Sequence, residues 1–152
     1  MDVKITQLLR PENIRLYLKA TDKTSAIEEM VDMIGEENIA DREELLNCLY
    51  EREKLETTGV GEGIALPHGR TDAVKDMHVV FARSKEGVEF QSLDDKPVYL
   101  LFLITAPRNE STKVLKMLAK LSRFLNNPSF RQELLDVKST QDIINMFKEK
   151  EG

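Results

Sequence analysis

The sequence predicts an α/β fold: a mixed sheet of about five strands, flanked by helices on both faces, in a single domain over residues 1–152. Three observations carry that expectation. Asn13 to Lys19 (NIRLYLK) and Met77 to Ser84 (MHVVFARS) alternate with the two-residue period of strands. Val98 to Ile104 (VYLLFLI) is the most hydrophobic run and reads as the central strand. Amphipathic stretches of helical period separate the first two strands and follow the last. A sheet covered on both faces is the arrangement that buries such runs. Short connections between the middle strands, against a helical pair between the first two, make the sheet mixed.

In chain order, residues 1–10 read as a lead-in that packs Ile5, Leu8 and Leu9. In the first strand Ile14, Leu16 and Leu18 face inward. A helix follows from Thr24, with Ala26, Ile27, Met30, Val31 and Ile34 on one face and Gly35 at its stop. The next helix starts at Asp41, an N-cap with Glu44 three residues on. Its apolar positions are Leu45, Leu46, Cys48 and Leu49, with Leu55 beyond its end. Gly63 to Leu66 is a short buried strand ending at Pro67. Met77 to Ser84 is apolar on both faces, as an interior strand requires. Glu86-Gly87 turns into a short strand, Val88 to Phe90, and 94–97 turns into the central strand. After a loop at 107–110, a helix spans Ser111 to Asn126, with Val114, Leu115, Leu118, Leu121, Phe124 and Leu125 as its buried stripe. Asn127-Pro128 breaks it. Helices over Ser129–Leu135 and Thr140–Lys148 close the domain, capped at Ser139 or Thr140, and the KEKEG tail frays.

A net charge of −5, with no basic run, excludes a nucleic-acid-binding surface. No run approaches the roughly 20 apolar residues of a membrane span. The segment MDVKITQLL has no apolar signal core, so the expected place is the cytoplasm. Cys48 is the only cysteine, which excludes a disulfide framework; its helical neighbours mark it as a buried structural thiol.

The chemistry centres on Thr58 to Arg70, TGVGEGIALPHGR. It holds one of the two histidines, His68, between Pro67 and Gly69. Mid-strand His78 suits a satisfied structural group, although its face can point to the site. His68 suits that reading less well. Pro67 cannot donate a ladder hydrogen bond and Gly69 does not screen its backbone, so the pair ends the strand and presents the imidazole. Three chemistries are open to it. Metal binding needs ligands at set spacing, and no HxH, HxxxH, HExxH or CxxC occurs. General acid–base catalysis needs a nucleophile or a polarised substrate, and no GxSxG elbow occurs. Nucleophilic catalysis by the ring itself, accepting a phosphoryl group, needs a neutral imidazole, donors and cations. Amides near Gly69, adjacent Arg70, and Gly59, Gly61 and Gly63 can serve there. Arg52 lies in the charged run 51–54, where its plain reading is a solvated last helical turn. No nucleotide motif is present, so for that third chemistry the donor would have to be another phosphoprotein and not ATP, and no cofactor is expected.

The run REKLETTGVGEGIALPHGR, Arg52 to Arg70, resembles the active-site signature of the fructose/mannitol-type enzyme IIA domain of the bacterial phosphoenolpyruvate-dependent sugar phosphotransferase system. Nitrogen-regulatory relatives share that signature. The resemblance extends over nearly the whole chain, through ENIRLYLKATDKTSAIEEM, ARSKEGVEFQSLDDKPVYLLFLITAP and MLAKLSRFLNNPSFRQELLDVKSTQDII. It implies an α/β sandwich whose His68 accepts phosphate on Nε2 from the carrier HPr. The group then passes to a cysteine of a IIB domain, for sugar uptake of fructose type, or else its presence regulates protein partners. Arg52 matches the arginine that steadies the phosphoryl group, and Thr58, Gly69 and Arg70 fall within the matched signature. Many relatives carry a second histidine where this chain has Val114, leaving Thr112 or Lys113 as substitute donors.

Overall fold

A computed structural model describes residues 3–152. Six strands form one sheet in the order β1-β5-β6-β3-β2, with β4 also paired to β6. They are β1 (Ile14–Arg15), β2 (Gly59–Gly61), β3 (Ile64–Ala65), β4 (His68–Arg70), β5 (His78–Val88) and β6 (Val98–Ala106). The helices are α1 (Ile5–Leu8), α2 (Lys23–Asp32), α3 (Arg42–Leu55), α4 (Ser111–Leu125), α5 (Pro128–Asp136) and α6 (Thr140–Glu151). The sheet is mixed as expected: β1·β5, β3·β6 and β4·β6 are parallel, β2·β3 and β5·β6 antiparallel.

β6 is the centre, antiparallel to β5 on one side and parallel to β3 and β4 on the other. Its side chains split between two cores. Leu100, Phe102 and Ile104 join α4, α5 and α6 on one face. Leu101 and Leu103 join α2 and α3 on the other. Phe102 packs against both Phe81 and Phe147, with ring centroids 4.7 and 5.9 Å away.

Several boundaries differ from the expectation. The first strand shortens to two residues; just past it the Leu16 carbonyl accepts from the buried Arg83 side chain at 3.3 Å, and the Leu18 amide donates to the Arg83 carbonyl at 2.9 Å. The same guanidinium reaches the carbonyls of Leu134, Leu135 and Val137, fastening the sheet to the end of α5. Val88 belongs to β5, whose register shifts between Arg83 and Val88, and 88–90 forms no separate strand. The residues before Ile64 form a hairpin with it, β2–β3. Its turn holds three consecutive positive φ angles, at Gly61, Glu62 and Gly63 (100°, 57° and 75°). That turn accounts for two of the three alternate glycines.

Asp41 caps α3 as expected, accepting from the Glu44 amide at 3.1 Å. Leu55 is the last residue of α3, 82% exposed, and not on its apolar face. On α4, Leu115 is exposed (66%) and Met117 takes the buried place. Asn127 caps α5, and Pro128 starts it as N1. The tail is no frayed end: α6 runs to Glu151, whose carboxylate accepts from the Ile5 and Thr6 amides and from Lys120. Of the lead-in, Ile5 and Leu9 are buried and residues 1 and 2 lie outside the described part.

Candidate functional site

Two short parallel strands build the site. β3 pairs with Leu100 and Leu101 of β6, and β4 pairs with Ile104, Thr105 and Ala106 of the same strand. Pro67 sits between them, and its carbonyl accepts from the Ile104 amide at 3.0 Å. Pro67 therefore interrupts the edge and does not end it. His68 opens the second piece, and Thr71 extends the pairing by donating to the Ala106 carbonyl. The ladder engages the Gly69 segment from the β6 side alone, since β4 pairs with no other strand among the described residues, and alternate amides of β4 turn away from it.

Gly69 has another reason to be glycine. A Cβ there would lie 2.9 Å from Cys48 Sγ and 3.1 Å from Leu49 Cδ2, so the strand touches α3 directly. That contact brings the α3 stripe Cys48, Arg52 and Leu55 beside His68. Across the cleft, Ser111, Val114, Leu115 and Leu118 of α4 form the facing wall. The cavity between α3, β4 and α4 has a volume of about 510 Å³ and is also lined by Glu51, Gly69 and Arg70.

Within it the His68 ring is half-buried, with Nδ1 2.8 Å from the Leu66 carbonyl oxygen. An oxygen acceptor requires Nδ1 to carry the proton, which leaves Nε2 as the free nitrogen of the neutral ring. Burial is the largest influence on this ring and pulls its pKa below the ordinary histidine value. The Leu66 carbonyl opposes that shift, the Arg52 guanidinium reinforces it, and the Glu53 carboxylate opposes it. A neutral ring beside a cation has the two attributes needed to receive an anionic group.

The structure brings His68, Arg52, Gly69 and Arg70 together at one cavity. Arg52 donates from Nη1 to the Glu56 carbonyl at 2.9 Å, and so is held at the helix end and not merely solvated. Arg70 donates to the Arg108 backbone carbonyl at 2.7 Å, which holds its guanidinium at the rim. Thr58 is buried and bound to Glu53, away from the cavity lining. Thr112 and Lys113 do not line it either; Lys113 pairs with Glu110, at 3.2 Å. His78 stands opposite Thr105 whereas His68 stands opposite Ile104, so the two rings take opposite faces of the sheet. His78 lines a different cavity with Arg10, Asp76 and Lys113. The hairpin glycines pack near Ser92, Asp94 and Tyr99 and serve their turn, with no place at the His68 cavity.

Sequence reasoning missed three features. Cys48 is half-exposed in the cavity wall and not buried; its Sγ–H donates to the Arg70 carbonyl at 3.3 Å. Burial of the sulfur raises its pKa, so it stands as a thiol. The spacing 48, 52, 55 is one helical stripe and carried that signal. The apolar wall from α4 and the anchoring of Thr58 by Glu53 carried none, because both depend on packing between elements distant in sequence.

The fold and site define a helix-sandwiched mixed sheet that displays a neutral imidazole on an edge strand, flanked by arginine. Residues 7–150 match the family model described as "Phosphoenolpyruvate-dependent sugar phosphotransferase system, EIIA 2". The chain belongs to this family, and is a phosphoryl-transfer protein of that system. It is 40% identical over 151 residues to the fructose-specific EIIA component of Haloferax volcanii, covering 98% of each chain. It is 35% identical to the fructose-specific EIIABC component of Bacillus subtilis, with 97% of this chain matching only 23% of that longer protein. Among solved structures, the nitrogen regulatory protein IIA-Ntr from Neisseria meningitidis superposes with a TM-score of 0.88 at 33% identity, covering 94% of this chain and 98% of that one. IIA mannitol of Escherichia coli, solved in complex with phosphorylated IIB mannitol, superposes at 0.79 and 30% identity, covering 93% and 97%. No helix among the described residues is long and apolar enough to cross a membrane.

Proposed function

We propose that His68 carries the phosphoryl group, on Nε2, between the carrier HPr and a IIB domain serving uptake of a fructose-like sugar. The observation that carries this reading is the Nδ1 contact with the Leu66 carbonyl, which leaves Nε2 as the nucleophilic nitrogen beside Arg52. In the forward step the Nε2 lone pair attacks phosphorus. The donor's N–P bond breaks as the new one forms, and the electron pair returns to the donor imidazole. In the onward step a IIB cysteine thiolate attacks, and Nε2 regains its lone pair. Arg52 and Arg70 offset the charge of about −2 on the bound group. The likeness to fructose-specific proteins supports the sugar branch.

A second reading, phosphorylation that controls a protein partner, is favoured by Val114. This apolar residue stands in the cavity wall where the resemblance expects a second imidazole. The likeness to a nitrogen regulatory protein supports the same reading.

Phosphorus NMR after treatment with phospho-HPr, followed by addition of IIB domains, tests both. The expected result is an acid-labile signal that His68→Ala removes and IIB discharges. Undiminished labelling of His68→Ala overturns the assignment. Labelling that no IIB domain discharges selects the regulatory reading.

A further inference from the structure

Immediately after Arg52 lies a buried carboxylate that the transfer chemistry leaves unused. Glu53 is 9% exposed. Its Oε1 accepts from the Thr58 amide at 3.1 Å, and its Oε2 accepts from the Thr58 hydroxyl. Lys23, at the start of α2, supplies the counter-charge, with Nζ 3.0 Å from Oε1. The same ammonium reaches Thr57 Oγ1 at 3.3 Å and lies 4.8 Å from the centre of the Phe90 ring. A buried charge that keeps this many partners is held in one geometry, because losing any one leaves the others unpaired in a poorly solvated site.

The network continues to the reactive ring. The Thr58 carbonyl accepts from the Leu66 amide at 3.0 Å. The Leu66 carbonyl in turn accepts from His68 Nδ1. From Glu53 an unbroken series of bonds therefore runs through the Thr58 and Leu66 backbones to the imidazole. The neighbouring residue on the same helix turn is Arg52, tied to the Glu56 carbonyl just before this corner.

We propose that Glu53 is a positioning residue for His68: its carboxylate fixes the corner between α3 and β2, which sets the Leu66 carbonyl that selects the Nδ1–H tautomer. Lys23, 3.0 Å away, holds that carboxylate in place. The inference rests on His68 being the phosphoryl acceptor for its consequence, but the tautomer itself is measured without any donor.

The test uses the full chain with nitrogen-15-labelled histidine, at a pH where both rings are neutral. Wild-type His68 is expected to show a single tautomer, protonated at Nδ1. Glu53→Ala is expected to mix the tautomers and to slow labelling by phosphoramidate, a small chemical donor, about tenfold or more through misplacement of the ring. The loss should fall on the maximal rate, with half-saturation by phosphoramidate little changed. Glu53→Gln, which keeps an oxygen for the Thr58 amide, is expected to restore the tautomer and most of the rate. His78 on the opposite face should keep its signals in every variant. A folded Glu53→Ala with an unchanged His68 tautomer and unchanged rate overturns the proposal. Should that variant fail to fold, Glu53→Asp decides: it withdraws the carboxylate from the Thr58 amide by one methylene while keeping the charge opposite Lys23, and an unchanged tautomer there overturns the proposal equally. Failure of the wild type to take a label, with the tautomer shifted as expected, would count against the acceptor role and not against the positioning.

Discussion

His68 Nδ1 lies 2.8 Å from the carbonyl oxygen of Leu66, two residues earlier in the chain. The intervening Pro67 makes that possible. Its fixed φ bends the edge between two stretches that both pair with β6, and the ring folds back over the bend. One local turn thus chooses which nitrogen is free.

Acid should silence the site. Burial first, then Arg52, holds the His68 pKa below the ordinary value of about 6.5. Phosphoryl acceptance needs the neutral ring, so the labelling rate should be flat above that pH and fall only at more acid pH, through the lowered pKa. Stability follows the same sense. A depressed histidine pKa contributes fully above the unfolded value, and its contribution is lost as pH falls through the folded one. His78, lowered chiefly by burial, adds to it. Denaturant titrations of His68→Gln and His78→Gln should each show a shallower loss of stability in acid than the wild type.

Arg52→Ala should slow transfer far more than it weakens the fold. The side chain makes one exposed bond to the Glu56 carbonyl, so its loss costs under about 0.5 kcal/mol. Removing an arginine from a phosphoryl site costs about a hundredfold or more in rate. Stopped-flow transfer beside a urea melt separates the two; equal losses would make Arg52 structural.

Gly69→Ala tests the contact between β4 and α3. The added methyl meets Cys48 Sγ at 2.9 Å and Leu49 Cδ2 at 3.1 Å, an overpacking that costs about 1–3 kcal/mol. Combining it with Cys48→Ala should recover part of that loss, since the sulfur is the nearer atom. A double-mutant cycle with no coupling would show that the strand relaxes instead.

Glu151→Ala should destabilise without touching transfer. The carboxylate satisfies the first amides of α1 and pairs with Lys120, so truncation leaves several donors unmet and costs about 1–3 kcal/mol. Thermal unfolding reads the loss; an unchanged midpoint would contradict the anchoring.

Much of this was legible in the chain. The VYLLFLI run announced the central strand because its residues are buried on both faces, whatever their partners. Asp41 and Glu44 announced the start of α3 because a cap is local chemistry. His68 and Arg52 were legible through their pattern, and α3 does carry Arg52 to the ring. The edge was not legible. Whether 59–61 and 68–70 pair depends on what β6 and β3 offer them, and two- or three-residue strands have too few side chains to show a period. The half-exposure of Cys48 escaped for a similar reason, since the cleft beside it opens only once α4 is placed.

The split edge has a bearing on how partners can leave. A free sheet edge invites another backbone to extend it, and such additions hold tightly. Here the strand that displays the imidazole offers only three residues beyond a proline that donates no hydrogen bond. A visiting protein can press its side chains against the cleft but finds only this three-residue ladder to continue. Such a short edge favours side-chain docking over lasting strand addition, as the proposed relay between two partners requires.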